Sequence, residues 1–146
     1  MKYFIVAFFF FSMLPLNSAA IDLHQHLNKT RLLVDEGNYR EALNRYEWYS
    51  KYSIKHQQSM DGVRLSYAVT DWKNLADVYP PAMKSLRDIR NKSLNLIQQG
   101  NSNGGYYNCD LFGDVAALNN VLSEPERTVS LFKLLDKEQP NFARRC

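Results

Sequence analysis

The sequence holds no Gly-x-Ser-x-Gly elbow and no cysteine motif with an accompanying histidine. Nucleophilic catalysis needs a base beside the nucleophile and an oxyanion donor, so both absences speak against acyl-transfer chemistry. Gly104-Gly105 follows a helical pattern and lacks the preceding strand that a phosphate-cradling loop requires. Charge of one sign is missing too: 18 Lys and Arg stand against 15 Asp and Glu, interspersed along the chain. Nucleic-acid binding uses a concentrated basic field, so no nucleic-acid partner is expected. Histidine is scarce, with three in all. His24 and His26 are two apart and fall on different faces of a helix, His56 lies in a polar connection, and no cysteine or carboxylate completes a ligand set. No metal and no cofactor is expected. Asp71 with Asp77, or Glu124 with Glu126, are the available carboxylate pairs; helical carboxylates of this kind are solvated or capping, and the chain reads as no enzyme.

A long apolar run is also lacking. Tyr3 to Leu16 is apolar and rich in Phe, but it spans only fourteen residues, is broken by Pro15, and falls short of the ~20 a spanning helix needs. With Lys2 as a short positive start and Asn17-Ser18-Ala19-Ala20 supplying small residues at −3 and −1, residues 1–20 read as a signal peptide cleaved after Ala20. No cysteine follows that position, so a lipoprotein anchor has no attachment point. The expected product is an exported chain, periplasmic or secreted, with no membrane insertion after cleavage and a source that looks bacterial. Residues 21–146 then form a single domain with a formal charge of +2 once Lys2 is removed, long enough to bury a core without metals or staples. Aromatic residues make up 13% of the chain, which argues against disorder.

Two cysteines in an exported protein raise the question of a disulfide. Cys109 would open one helix and Cys146 would lie just past the end of its antiparallel partner. Two readings stand: a staple across the final hairpin, or two unpaired thiols with a mobile C-terminal tail, because a bridge requires a Cα separation under ~7 Å. Asn28-Lys29-Thr30 and Asn91-Lys92-Ser93 are formal glycosylation sequons, relevant only to a eukaryotic source.

Apolar spacing predicts six helices. The first runs from about Asp22 to Glu36 with Leu23, Leu27, Thr30, Leu33 and Val34 as its stripe, and Gly37 is placed to take a left-handed cap. Asn38 and Glu41 form a capping-box pattern for the second, which continues through Ala42, Leu43, Tyr46 and Tyr49. Lys51 to Met60 reads as a polar, irregular connection. Asp61 is the expected N-cap of the third helix, through Val63, Tyr67, Ala68, Trp72, Leu75, Ala76 and Tyr79. Pro80-Pro81 stops it and starts the fourth, to about Gln99. Gly100 to Asn108 reads as a loop, helix five as about Asp110 to Leu122, and Ser123-x-x-Glu126 as the capping box of helix six, which Pro140 follows.

One spaced pattern occurs twice. Gly37-Asn38-Tyr39-Arg40-Glu41-Ala42-Leu43 precedes Tyr46 and Tyr49; Ser123-Glu124-Pro125-Glu126-Arg127-Thr128-Val129 precedes Phe132, Leu135 and Pro140. A turn residue, a small residue five positions on and an aromatic four beyond suit a tightly crossed helix pair, and the pattern resembles the tetratricopeptide (TPR) repeat. Trp72-x-x-Leu75-Ala76-x-x-Tyr79 is similar to the first helix of such a repeat, although Pro80-Pro81 starts its partner early. The resemblance implies an all-α fold of three antiparallel hairpins, about 22–52, 61–99 and 110–139, stacked as a short solenoid. The segment from Gly62-Val63-Arg64-Leu65-Ser66-Tyr67-Ala68 through Asp71-Trp72 to Tyr79-Pro80-Pro81-Ala82 is also similar to that of small exported bacterial proteins of unassigned function.

A TPR-like fold implies a ligand groove lined by the first helix of each hairpin. Here that places His24, Leu27, Arg31, Val34 and Asp35, then Lys73 and Asp77, then Asp110, Gly113, Ala117 and Asn120 on the groove, a mixed surface for a protein or peptide partner. Arg64 stands in an apolar stretch and either anchors a carboxylate or pairs locally with Asp61, Asp71 or Asp88. Trp48 and Tyr52, four apart, share a face that either packs under the 51–60 connection or forms an outer docking surface for a companion subunit.

Overall fold

Asp22 opens the first helix: its carboxylate accepts a hydrogen bond from Gln25 N at 2.9 Å and satisfies one of the orphan donors of the first turn. In the computed structural model, which describes residues 21–99, 106–138 and 140–144, the elements are all helical. Helix α1 is Leu23–Asp35 and α2 is Tyr39–His56. A 3-10 turn, Gln58–Met60, leads into α3, which runs continuously over 61–78 as Asp61–Val63, a π-helical turn Arg64–Ala68, and Val69–Val78. Helix α4 is Pro80–Gln98, α5 Tyr106–Val121 and α6 Glu126–Glu138, followed by a short α7, Pro140–Ala143.

The two outer turns are built alike. Gly37 has φ +78° and donates to Val34 O at 3.0 Å while Asn38 N donates to Leu33 O at 2.8 Å. Ser123 has φ +60° and donates to Asn120 O at 3.0 Å while Glu124 N donates to Asn119 O at 2.8 Å. Both are Schellman endings, in which a left-handed residue lets two amides close on the last carbonyls of the helix. Glycine takes that conformation without a Cβ penalty, and serine takes it at a cost.

Both expected capping boxes are therefore corrected. The α2 cap residue Asn38 makes no side-chain cap bond, and its Nδ2 donates to Glu36 Oε2 at 3.1 Å, because its backbone is already committed to closing α1. Ser123 ends α5 instead of starting α6, whose first bonds run from Arg127 N to Glu124 O and from Thr128 N to Pro125 O. Two boundaries also move. The polar stretch after Lys51 stays helical to His56, held by aromatic contacts on successive turns and with Ser53 buried beneath them. At the other end, α5 begins at Tyr106, inside the expected loop.

Tyr67 departs from its expected core position and is 69% exposed. The wider π turn brings residues five apart onto one face, so Arg64, Ala68 and Val69 all turn inward and Tyr67 turns out. Pro80 and Pro81 occupy the first turn of α4, with Tyr79 extended before them (φ −132°, ψ 94°), as the steric demand of proline on its predecessor requires.

Packing divides into two cores. The larger gathers Leu23, Leu27, Ala42, Tyr46, Tyr49, Trp72, Leu75 and Leu86, with Leu118 reaching in from α5. The smaller holds Ile97, Val115, Leu131 and Leu135. Ala42 is fully buried, as the repeat pattern requires, whereas Phe132, the counterpart of buried Tyr46, is 40% exposed and meets the edge of Phe112 at 6.4 Å between ring centroids. No helix among the described residues is long and apolar enough to cross a membrane. Residues 1–20, on which the export signal falls, lie outside the described residues.

Two substitutions test this packing. Ser123→Gly should raise the unfolding free energy by about 1 kcal/mol by removing the Cβ penalty at φ +60°. Ala42→Leu should lower it by about 1–3 kcal/mol through overpacking. Urea denaturation of both variants checks the signs, and a destabilised Ser123→Gly would refute the shared-turn account.

Candidate functional site

Arg64 opens the π turn in α3 and faces inward with Ala68. Arg64 is only 8% exposed. Its Nε and Nη2 donate to Asp61 Oδ1 at 3.2 and 2.7 Å, and Nη2 also lies 2.7 Å from Asp114 Oδ1 on α5. Burial works against the charged guanidinium, but the hydrogen bonds and charges of Asp114 and Asp61 outweigh it and push its pKa up. Asp114 shows the reverse balance: burial pushes its carboxyl pKa above the ordinary value, and the contact with Arg64 offsets this only in part. Asp61 and Asp110 add to the rise.

Beside this pair lies a narrow cavity of about 20 Å³, room for about one water molecule. Tyr46 and Tyr49 of α2, Arg64 and Trp72 of α3, Ile89 of α4 and Asp114 of α5 are on its wall. Burial, reinforced by the Asp71 charge, drives the Tyr46 hydroxyl pKa well above its ordinary value, and burial likewise raises that of Tyr49, so both stay protonated.

The remaining sequence candidates are dispersed. His24, Asp35 and Asn120 are exposed. Arg31 pairs across helices with Asp71 (Nη2 to Oδ2, 2.7 Å) and donates to Asn28 Oδ1 at 2.9 Å. Lys73 pairs with Asp77 at 2.5 Å, one turn along the same helix. Asp71 therefore serves Arg31 and leaves Arg64 to Asp61 and Asp114, while Asp88 serves Lys84. Of the charged groove candidates, Arg64 alone lines the cavity. Cys109 is disulfide-bonded; Cys146, the other cysteine of the sequence, lies outside the described residues.

Trp48 and Tyr52 do meet. Their centroids are 5.7 Å apart, and Trp48 stacks on His26 of α1 (4.7 Å, 26°) and on His56 (5.6 Å, 24°). Lys51 and Lys55 place their ammonium groups 5.0 and 5.5 Å from the Tyr52 ring centre, and the hydrogen bond from Lys51 lowers the Tyr52 pKa. His26 is thus half-buried. Its Nε2 lies 3.1 Å from Arg45 O, which can only accept, so Nε2 carries the proton. Burial lowers its pKa and favours the neutral ring, against the smaller upward pull of that hydrogen bond.

Sequence reasoning missed Asp114 and His26. Asp114 had a usable signal: it is a lone carboxylate in the apolar stretch Leu111 to Leu118, as Arg64 is a lone cation in its own. His26 gave none, since its burial comes from Trp48 reaching across from α2. Among the described residues no group of three or more His, Cys, Asp or Glu side chains converges as a metal site would need.

No family model, curated protein or solved structure matches this chain. Its class is set by its own geometry: an all-α, multi-helix domain with a buried arginine and an aromatic outer edge.

Removing the cation from the buried pair tests the electrostatics. Arg64→Met should cost about 2–4 kcal/mol at pH 7, because it strands Asp114 without a counter-charge. A carboxyl whose folded pKa is raised binds its proton more readily in the folded state, so the deficit should shrink as pH falls from 7 to 4. Urea denaturation at both pH values measures it, and an equal loss at each would contradict the assignment.

Proposed function

We propose that this chain is an exported, TPR-like module that binds another protein or a peptide and carries out no catalysis. Support for the repeat comes from the two outer turns, which repeat one hydrogen-bond pattern 86 residues apart, and from the buried small residue Ala42 behind the first. Export rests on the composition of residues 1–20.

The observation that carries the docking surface is the edge of α2. Trp48 is fixed by two imidazoles, Tyr52 is half-buried beside it, and Lys51 and Lys55 flank the tyrosine ring. Preordered aromatic rings lose little side-chain entropy on binding, and tryptophan and tyrosine dominate interface hot spots. The flanking lysines favour a partner with an acidic surface. This is the companion-subunit mode, with the outer face in contact.

The groove of α1, α3 and α5 is the second reading. Arg31 is 44% exposed, and its surface ion pair with Asp71 is worth only about 0–1 kcal/mol, so an incoming carboxylate could replace Asp71. Lys73 and Asp77 would flank the same track.

Affinity capture from the exported fraction of the native source, run with variants, separates the two. Tyr52→Ala and the charge reversal Lys51→Glu/Lys55→Glu should each weaken capture at least about tenfold and leave Tm within a few degrees. Arg31→Ala/Lys73→Ala should leave it unchanged. The opposite pattern would transfer the function to the groove.

A further inference from the structure

Helix α6 uses only a narrow stripe of its surface for packing: Leu131 and Leu135 are buried, Leu134 stays 38% exposed on one flank, and Val129 is exposed on the other side. On the Leu134 flank a groove of about 260 Å³ lies between α6 and α4, lined by Leu94, Gln98, Arg127, Ser130, Leu131 and Leu134. Helical spacing extends both of its walls. Arg127, Ser130, Leu134 and Lys137 follow one another at three and four residues and share a face of α6, and Arg87, Asn91, Leu94 and Gln98 do the same on α4. Leucines hold the middle of the groove, and cations hold the end nearest the turn between α5 and α6. There Glu124 Oε2 takes both Arg90 and Arg127, one carboxylate against two guanidiniums, and Arg87 is exposed and makes no ion pair with a described residue. Unmatched positive charge therefore stands beside an apolar floor. We propose that this groove docks an amphipathic helix of a partner protein, with leucine-type anchors against Leu94, Leu131 and Leu134 and acidic residues at the end that meets Arg127 and Arg87.

Size and charge select this occupant. A small-molecule site is a cleft of about 300–1,000 Å³ that buries most of its ligand. This groove is smaller and open to solvent, which suits the side chains of a helix laid across it. A second copy of the chain is a poor match. Two α6 ridges paired antiparallel about a two-fold axis, with Leu134 of each against Ser130 of the other, would set Arg127 of each copy against Lys137 of the other, cation against cation. An acidic partner instead meets the unmatched positive charge at one end. At the far end Lys137 and Glu138 offset each other, so the charge also fixes which way round the partner lies. Burial of the leucines supplies the affinity, and the arginines supply the orientation. The groove lies on α4 and α6, apart from the α2 edge, and either surface can fail without the other.

The test is fluorescence anisotropy with the oxidised chain, residues 21–146, which carry every described element. The probe is a helix-forming peptide, acetyl-Glu-Glu-Ala-Leu-Gln-Ala-Leu-Leu-Ala-Gln-Leu-Ala-Ala-Gln, labelled at its C-terminus with fluorescein; its leucines repeat at three and four residues. Binding should saturate in the micromolar range. Replacing the two glutamates by lysine should weaken it at least about tenfold, and replacing the leucines by alanine should abolish it. Leu134→Glu should weaken binding at least about tenfold, whereas Val129→Glu, on the other side of α6, should leave it unchanged. Arg127→Glu should lose the glutamate peptide and gain the lysine peptide, an exchange that a merely unfolded variant would not show. Absence of saturable binding, equal affinity for the glutamate and lysine peptides, or indifference to Leu134→Glu would overturn the inference. Self-association that Leu134→Glu disperses, seen by sedimentation velocity, would overturn it as well by giving the groove to a second copy.

Discussion

Placing a guanidinium inside a small helical domain imposes a condition on everything around it. The charge of Arg64 is tolerable only where carboxylates reach it from more than one direction, because one partner cannot satisfy its forked donors. Asp61 comes from the same helix, three residues back, and its geometry is local. Asp114 comes from α5, fifty residues later in the chain, so the position of α5 is tied to the π turn of α3 by a contact of 2.7 Å. The aromatic layer of Tyr46 and Trp72, with centroids 6.2 Å apart and nearly parallel planes, lies beside that tie. Hydrophobic packing sets how closely the helices approach, and the ion contact adds a preference for one register among several that apolar side chains alone would allow.

A second set of polar ties joins the helices. Arg45 reaches from α2 to Thr30 Oγ1 and His26 O on α1, Arg31 crosses from α1 to Asp71 on α3, and Arg90 of α4 is buried against Glu124, which also takes Arg127. Arg45 and Arg31 each span a pair of helices, and Arg90 ties α4 to the turn between α5 and α6. The planar, multi-donor head of arginine suits this use, since it can satisfy a carbonyl and a hydroxyl, or two carboxylates, at once.

Much of the fold could be read from the sequence because it rests on short-range rules. Apolar spacing located α1 and α2; Pro80-Pro81 located the α3–α4 break and the start of α4; Gly37 located the first turn. The repeat offset that aligned Gly37 with Ser123 held at the level of backbone hydrogen bonds, even though the side chain at the second position suggested a cap for the following helix. What failed depended on long-range or irregular features. The π turn has no spacing signature, so Tyr67 was assigned to the wrong face. Burial of His26 depends on a tryptophan from the next helix, and the Asp114 partnership depends on how α5 is laid over α3. For the candidate site, the sequence drew attention to Arg64 through its apolar setting, and only the assembled helices supplied Asp114, Tyr49 and Trp72 around it.

Helix α4 belongs to both cores. Ala82 and Leu86 in its first half lie in the larger, and Leu94 and Ile97 in its second half lie in the smaller. It acts as a beam carried on two unequal piers. Burial free energy scales with the apolar area removed from water, so releasing α6, which brings Leu131 and Leu135, forfeits only part of the smaller share, while α5 stays tied to α3 through Asp114. The domain accordingly has a built-in order of disassembly, with its C-terminal end as the part that can be reshaped while the Arg64 region stays intact.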